Sequence, residues 1–379
     1  MRISIKSLLV VILGLGGICS VRGEVFGEIN LSWKLYLNFK GKYQLVSAPT
    51  SENPYNWEAE ERIDYNAFEL GWAILGWRGM LNNNFKATVS FIVEDVEEEG
   101  LNFQLERAYL ERSWGENFFL DFQAGYFLTS WMEWVREHLW DWDWLAHPVV
   151  EELGLVPSSQ LGILVNGGWG NGKAKLGVKL AGLTEPPFDS NYNRWELGIF
   201  GTGHFSSLGV YGAGNYSQRG KPEQEGWQEL WQAGAGLEYQ GIKLGGEYFQ
   251  GRSWIPAGEV YLLGNFPEGV WDFFELYGRN FIKGEEIEFW GWSGFLTIQP
   301  EEELAMVWRY DFFDPSKRFD DDRENLFLLS LLWKTKDSFW FGLSFQRQDF
   351  QSHNLPDLDQ EKELEPIETL SVRVLAQFP

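Results

Sequence analysis

From residue 25 onward, apolar and polar side chains alternate in runs of about ten residues, and each run ends at a turn. In the first run Val25, Ile29, Leu31, Trp33, Leu35, Leu37 and Phe39 fall on one side, with Glu28, Asn30, Ser32, Lys34, Asn38 and Lys40 on the other. Successive side chains of a strand point to opposite faces, so this period predicts strands with one fatty face and one wet face. The last run closes the chain: Leu370, Val372, Val374, Ala376 and Phe378 alternate with Ser371, Arg373, Leu375 and Gln377. The alternation predicts sixteen strands, at 25–39, 66–80, 84–96, 101–113, 117–127, 159–168, 172–184, 193–205, 207–217, 227–240, 241–252, 285–299, 303–313, 324–334, 338–349 and 367–378. Phase slips near Glu106-Arg107, from either a β-bulge or the strand swelling against the third long loop.

Every second link is compact: Leu81 to Asn84, Ser113 to Glu116, Asn171-Gly172, Ser206-Ser207, Gln240-Gly241, Pro300-Glu301 and Thr335 to Asp337. The interleaved links are mostly longer and rich in Glu, Asp and Pro. The expected fold is therefore all-β, a 16-stranded antiparallel transmembrane β-barrel with short periplasmic turns and long extracellular loops. Such a barrel needs its two terminal strands to pair, because an open edge has no hydrogen-bond partner in lipid. No regular repeat of the kind that builds propellers or β-helices is present.

Composition supports this picture and narrows it. The 42 Gly, 21 Trp, 29 Phe and 14 Tyr suit curved strands with aromatic girdles at two membrane interfaces. Beyond the start of the chain there is no run of about 18 apolar residues, which excludes a bundle of membrane helices. Residues 1–23 carry Arg2 and Lys6, an apolar run from Leu8 to Gly17 and small residues before Glu24, so they read as a cleaved secretory signal. Residues 24–379 are then the barrel. Cleavage would remove Cys19, the single cysteine, so the mature chain would form no internal disulfide. The remaining 28 Lys and Arg against 55 Asp and Glu give a net charge of −27, which argues against nucleic acid as a partner.

The fatty and wet faces assign the inner wall. Lys34, Lys86, Lys173, Lys175, Lys179, Arg309 and Arg373 are expected to face inward, together with Glu28, Glu94, Asp121, Glu238 and Asp311. In strand 172–184 the residues Ala174, Leu176, Val178 and Leu180 face lipid and put three lysines in line along the lumen. A lysine facing lipid near the midplane would cost ~2–4 kcal/mol, which favours the inward reading. Catalytic chemistry has little basis, because only His138, His147, His204 and His353 exist and none sits in a nucleophile motif. Asp320 to Asp322 read as solvated loop acids, with Ca²⁺ binding the sharper alternative.

The chain resembles the Gram-negative outer-membrane porins, and within them the phosphate-selective-porin-like family. The residues that carry the resemblance are the run Arg309-Tyr310-Asp311-Phe312-Phe313-Asp314-Pro315, the hairpin from Phe103 to Tyr126 with Arg107-Ala108-Tyr109-Leu110 and Gly125-Tyr126-Phe127, and the terminal aromatic Phe378. Two departures stand out: Pro379 follows the final aromatic, and the third long loop is acidic and aromatic where that family's anion site is basic.

The resemblance implies a passive diffusion channel for small hydrophilic solutes or ions, with outer-membrane lipid around it and no ATP or cofactor. It also implies a homotrimer, and recognition of the strand ending at Phe378 by barrel-assembly machinery. The loop 128–158 would fold inward and narrow the pore, through Trp131, Glu133, Trp134, Arg136, Glu137, His138, Asp141 and Asp143. The alternatives are a substrate-specific channel for phosphate-like anions or sugars, and a non-conducting surface structural or adhesin barrel.

Overall fold

The computed structural model describes residues 29–39, 72–82, 85–96, 100–115, 117–142, 145–153, 155–157, 159–171, 173–184, 193–220, 227–254, 286–314, 317, 323–335, 339–350, 353–354, 361–362 and 367–378. Of Ile29–Phe39 and Trp72–Asn82 only the backbone is described, so the orientation of Lys34 lies outside the described residues. The signal reading of 1–23 and the acids at 97–99 and 320–322 lie outside them as well, as do the side chains of Glu28, Glu94, Asp143 and Phe378.

The strands are β1 (Ile29–Phe39), β2 (Trp72–Asn82), β3 (Phe85–Val96), β4 (Gly100–Trp114), β5 (Phe118–Leu128) and β6 (Ser159–Gly170). They continue as β7 (Ala174–Thr184), β8 (Asn193–Phe205), β9 (Leu208–Arg219), β10 (Gln228–Tyr239), β11 (Ile242–Trp254) and β12 (Glu286–Glu301). The rest are β13 (Leu304–Asp314), β14 (Glu324–Thr335), β15 (Phe339–Phe350), the two-residue pair β16 (His353–Asn354) and β17 (Glu361–Lys362), and β18 (Ile367–Phe378). From β1 to β15 each strand lies antiparallel beside its neighbours in sequence, and β15 pairs with β18. On its other side β18 pairs with β1, setting Trp33 opposite Phe378 and Phe39 opposite Val372.

Alternation places the side chains. On β7, Leu176, Val178 and Leu180 are 63, 49 and 55% exposed, while Lys179, Ala181 and Leu183 between and after them are buried. Trp195, Leu197 and Ile199 on β8 are likewise exposed beside buried Arg194, Glu196 and Phe200. The outer face is thus apolar and exposed. At the link between β10 and β11, Gln240 (φ 48°) and Gly241 (φ 79°) both take the left-handed backbone that a two-residue hairpin turn requires. A Cβ on Gly241 would also lie 2.2 Å from the Gln299 carbonyl oxygen.

Two features depart from uniform alternation. Between β3 and β4 the register jumps from Ser90 opposite Arg107 to Phe91 opposite Leu105, leaving Glu106 as an extra residue. Of the two readings of the phase slip this is the bulge, and it explains why Leu105 and Leu110 both face outward across an odd interval. The Glu106 carboxylate turns inward, where it accepts a hydrogen bond from Ser90 Oγ (2.8 Å) and pairs with Arg107 (3.1 Å).

The second departure corrects the expectation of a wet inner face. Phe289 and Phe295 on β12, Ala305, Val307 and Phe313 on β13, and Leu328 and Leu332 on β14 are buried on the inner side. On these strands apolar side chains share the inner face with Ser293, Thr297, Arg309 and Asp311, and the segment between β5 and β6 packs against them from within. A strand covered on both sides reads as a nearly continuous apolar run, and Leu326 to Trp333 is such a run. Lys173 is a further correction: it precedes β7 in the turn, where its N–H donates to Asn171 Oδ1 (3.1 Å), so it is not part of the strand's inward row.

The outward assignment of β7 is testable. Val178→Arg should lower unfolding free energy in a lipid bilayer by ~2–4 kcal/mol, read by urea titration. An effect near zero would mean that Val178 does not face hydrocarbon.

Candidate functional site

The segment that joins β5 to β6 makes polar contacts with strands from β7 to β13. It begins as a helical turn, Ser130–Trp134, and continues through a wider π turn, Val135–Leu139. Trp131, Trp134, Val135 and Leu139 recur at helical spacing and are buried on one side, while Glu133 and Glu137 occupy the other. The chain then extends, and Trp140 and Trp142 are buried while Asp141 between them is exposed. A last turn, Val149–Glu152, precedes the return to β6.

Glycine on β10 lets this segment approach the sheet. A Cβ on Gly234 would meet the Trp134 ring at 2.7 Å and the Trp131 ring at 3.2 Å, and one on Gly236 would meet Leu139 at 2.8 Å. These strand glycines make room for loop side chains.

The segment is tied to several strands. Ser130 donates from both its backbone N–H (3.1 Å) and its hydroxyl to Glu196 of β8. Trp131 Nε1 donates to Glu247 of β11 (3.1 Å), and Trp142 Nε1 donates to Thr297 of β12 (3.0 Å). Three loop carboxylates meet three wall cations: Glu133 with Lys179 of β7 (2.8 Å), Asp141 with Lys243 of β11 (2.6 Å), and Glu152 with Arg309 of β13 (3.2 Å). Arg309 also donates to the His147 carbonyl and pairs with Asp311 (2.7 Å). Rings complete the contact. His138 stacks on Tyr211 of β9 at 5.4 Å, Trp140 packs on Phe295 at 5.6 Å, and Trp142 meets Trp340 of β15 at 5.5 Å. Arg136 pairs within the loop with Glu151 at 2.9 Å.

Burial and neighbouring charge set the protonation of the loop. Burial pushes the Glu133 carboxyl up, yet Lys179, with help from Arg107 and Gln123, outweighs it and holds the group below the ordinary carboxylate range. Burial, reinforced by Lys179, Lys243, Lys175 and His204, pushes His138 down to about 4. Both groups therefore keep the form that suits the docked loop at neutral pH.

The expected wall residues separate into different settings. Lys175 is exposed on the inner side with its ammonium 4.4 Å from the Phe119 ring centre, whereas Lys179 is buried in its ion pair. Lys86 pairs with Glu111 (3.5 Å), and Asp121 accepts from Asn166 Nδ2 (3.2 Å). Arg309 and Asp311 are brought together beneath the loop, and buried Arg373 donates to Ser371 Oγ (3.3 Å). Sequence reasoning passed over Lys243, Glu196, Glu247 and Thr297, which bind the loop. The signal was present: Lys243 lies between outward Ile242 and Leu244, and Glu196 between outward Trp195 and Leu197.

Comparison with solved structures identifies the architecture. Salmonella typhi OmpF in complex with daunomycin superposes with a TM-score of 0.60 at 13% identity, covering 93% of this chain and 98% of that one. In-vitro folded OmpT, an outer membrane protein of Vibrio cholerae, gives 0.57 at 9% identity over 94% and 99%. An anion-selective porin from Comamonas acidovorans gives 0.56 at 11% identity over 93% and 99%. The chain has the porin fold. No family model matches the sequence, and no curated protein matches it.

The His138 environment generates a prediction about acid. A histidine pushed below its ordinary value stays neutral while folded, so the unfolded chain takes up its proton first as pH falls. His138 thus weakens docking progressively between about 6.5 and about 4. Glu133 acts in the same direction, since its stabilisation is lost as pH falls through its lowered value. NMR of histidine-labelled protein should show His138 half-protonated near pH 4. Half-protonation at the free-histidine value would contradict the buried, cation-flanked placement.

Proposed function

We propose that this chain is an outer-membrane porin of a Gram-negative bacterium, a closed barrel of sixteen strands that lets small hydrophilic solutes diffuse passively. The observation that carries the reading is a loop bonded to strands spread from β7 to β13, on the inner side of a sheet whose outer face is exposed and apolar. Pairing of β1 with β18 supports closure, and closure removes the edges that lipid cannot satisfy. Loop 128–158 is the constriction, and its free edge with the facing wall sets which solutes pass. Residues 1–23 are the export signal, cleaved before assembly. The strand ending at Phe378 addresses the chain to the assembly machinery, and the barrel works as a homotrimer.

A phosphate-selective channel finds less support. Such selectivity needs a cluster of cations free to meet the anion, and Lys179, Lys243 and Arg309 are each held by carboxylates, which leaves Lys175 exposed without such a cluster around it among these wall residues. General permeation with local charge preference is the better fit.

Planar-bilayer recording tests the reading. The folded protein should give stable, ungated steps, and replacing residues 131–152 by a short Gly-Ser link should raise single-channel conductance about twofold or more. Absence of any conductance from folded protein would overturn the channel and favour a structural barrel.

A further inference from the structure

Outward-facing arginines are held differently at the two rims of the sheet. On the side of the long links, Arg252 of β11 pairs with Glu229 of β10 (2.7 Å), and Arg347 of β15 pairs with Asp349 (2.9 Å). Arg323, just ahead of β14, pairs with Asp314 (3.7 Å). Arg252 shares the strand phase of exposed Leu244 and Tyr248, and Arg347 that of exposed Phe341 and Leu343. Each of these charges has a carboxylate beside it.

At the rim of the short turns Arg112 of β4 has another setting. It shares the outward phase of exposed Leu110 and Trp114, and it lies opposite Phe122 of β5. Its guanidinium carbon is 5.0 Å from the Phe85 ring centre and 4.7 Å from the Trp114 ring centre. Among the described residues no carboxylate pairs with it. The outward side chains around it continue as Phe118, Leu120, Trp169 and Leu176, and the described outward positions of β3 to β7 hold no acid. Trp114 ends the strand and Gly115 (φ 79°) begins the turn, so Arg112 sits about 7 Å along the strand from the end of the apolar wall.

Rings that stack on a guanidinium orient it and leave its charge intact, and its N–H donors lie in its own plane as a fork that fits two phosphate oxygens. An arginine so placed, at the edge of an apolar surface, suits a ligand with an anionic head and apolar tails. Resting on the porin reading, which turns the short links toward the periplasm, we propose that Arg112, clamped by Phe85 and Trp114, docks the phosphodiester of a phospholipid in the periplasmic leaflet. The acyl chains lie along outward Leu110 and Leu120. A second copy seated through this same face would bring Arg112 no carboxylate from the described outward positions of β3 to β7, which favours the lipid as occupant.

Native mass spectrometry of the folded protein in neutral detergent tests this, by titration with dioleoylphosphatidylglycerol and with dioleoylglycerol, which has the same acyl chains and no phosphate. Wild-type protein should bind its first phosphatidylglycerol about fivefold or more tighter than its first dioleoylglycerol. In Arg112→Gln the ratio should fall to about one, and Arg112→Lys, which keeps the charge without the fork, should give an intermediate value. Arg347→Gln, at a paired arginine of the opposite rim, should keep the wild-type ratio. Unchanged conductance steps in concentrated KCl check that each variant folds. Equal affinities in wild-type protein, or a wild-type ratio in Arg112→Gln, would overturn the lipid site. Break-up of an oligomer in Arg112→Gln with the lipid ratio unchanged would overturn it too, because Arg112 would then serve a second copy. Failure of the channel reading shows separately, as absent conductance from protein whose lipid ratio is as expected.

Discussion

A backbone N–H or C=O inside a bilayer finds no water, so every strand that crosses must find its partners in neighbouring strands. On the porin reading proposed above, the pairing of β1 with β18 meets that demand, and the remaining organisation follows from the pairing. On that reading the outer face meets lipid, and the period of two sends every other side chain inward. An inner surface this large needs filling. Here one long connection supplies the filling, and the inner wall is divided between a sector that carries the loop and a sector that faces the remaining space.

The two sectors differ in chemistry because their surroundings differ. Under the loop the wall is built from Phe249, Phe289, Phe295, Val307, Leu328 and Leu332, which join Trp131, Trp134, Leu139, Trp140 and Trp142 in one apolar cluster. Burying such side chains gives roughly 1.5–3 kcal/mol each, which makes the loop a packed part of the fold. The charges beneath it are paired, since removing one partner from a buried pair costs about 3–5 kcal/mol. Apolar packing therefore holds the loop down, and the ion pairs fix where it sits. Outside the packed zone Lys175 and Glu137 retain exposure.

Much of this was legible in the alternation. Strand 193–205 and strand 367–378 have the bounds the period predicts, and the odd interval from Leu105 to Leu110 announces the bulge at Glu106. The inward positions of Lys179, Arg309 and Arg373 follow from the same phase. What the alternation could not report was the covering of the inner wall. An apolar residue facing inward looks out of phase until the loop that packs on it is known, so Leu328 and Val307 carried no readable meaning alone. Nor does spacing along the chain tell which wall lysine meets which loop acid. Lys179 and Glu133 are 46 residues apart and Lys243 and Asp141 are 102 apart, and only folding brings each pair together. The row of lysines at 173, 175 and 179 looked uniform, yet a turn, two rings and a carboxylate give its members three different settings.

The central claim is that the loop is anchored on the inner side of the sheet by contacts with specific wall residues. A charge swap across the Glu133–Lys179 pair tests it most directly, through single-channel conductance of Glu133→Lys, Lys179→Glu and the double variant. Each single reversal should disturb the docked loop and change the conductance, and the double variant should return it close to the wild-type value. If the double variant shows only the sum of the two single effects, Glu133 and Lys179 do not meet, and the loop does not lie where the account places it.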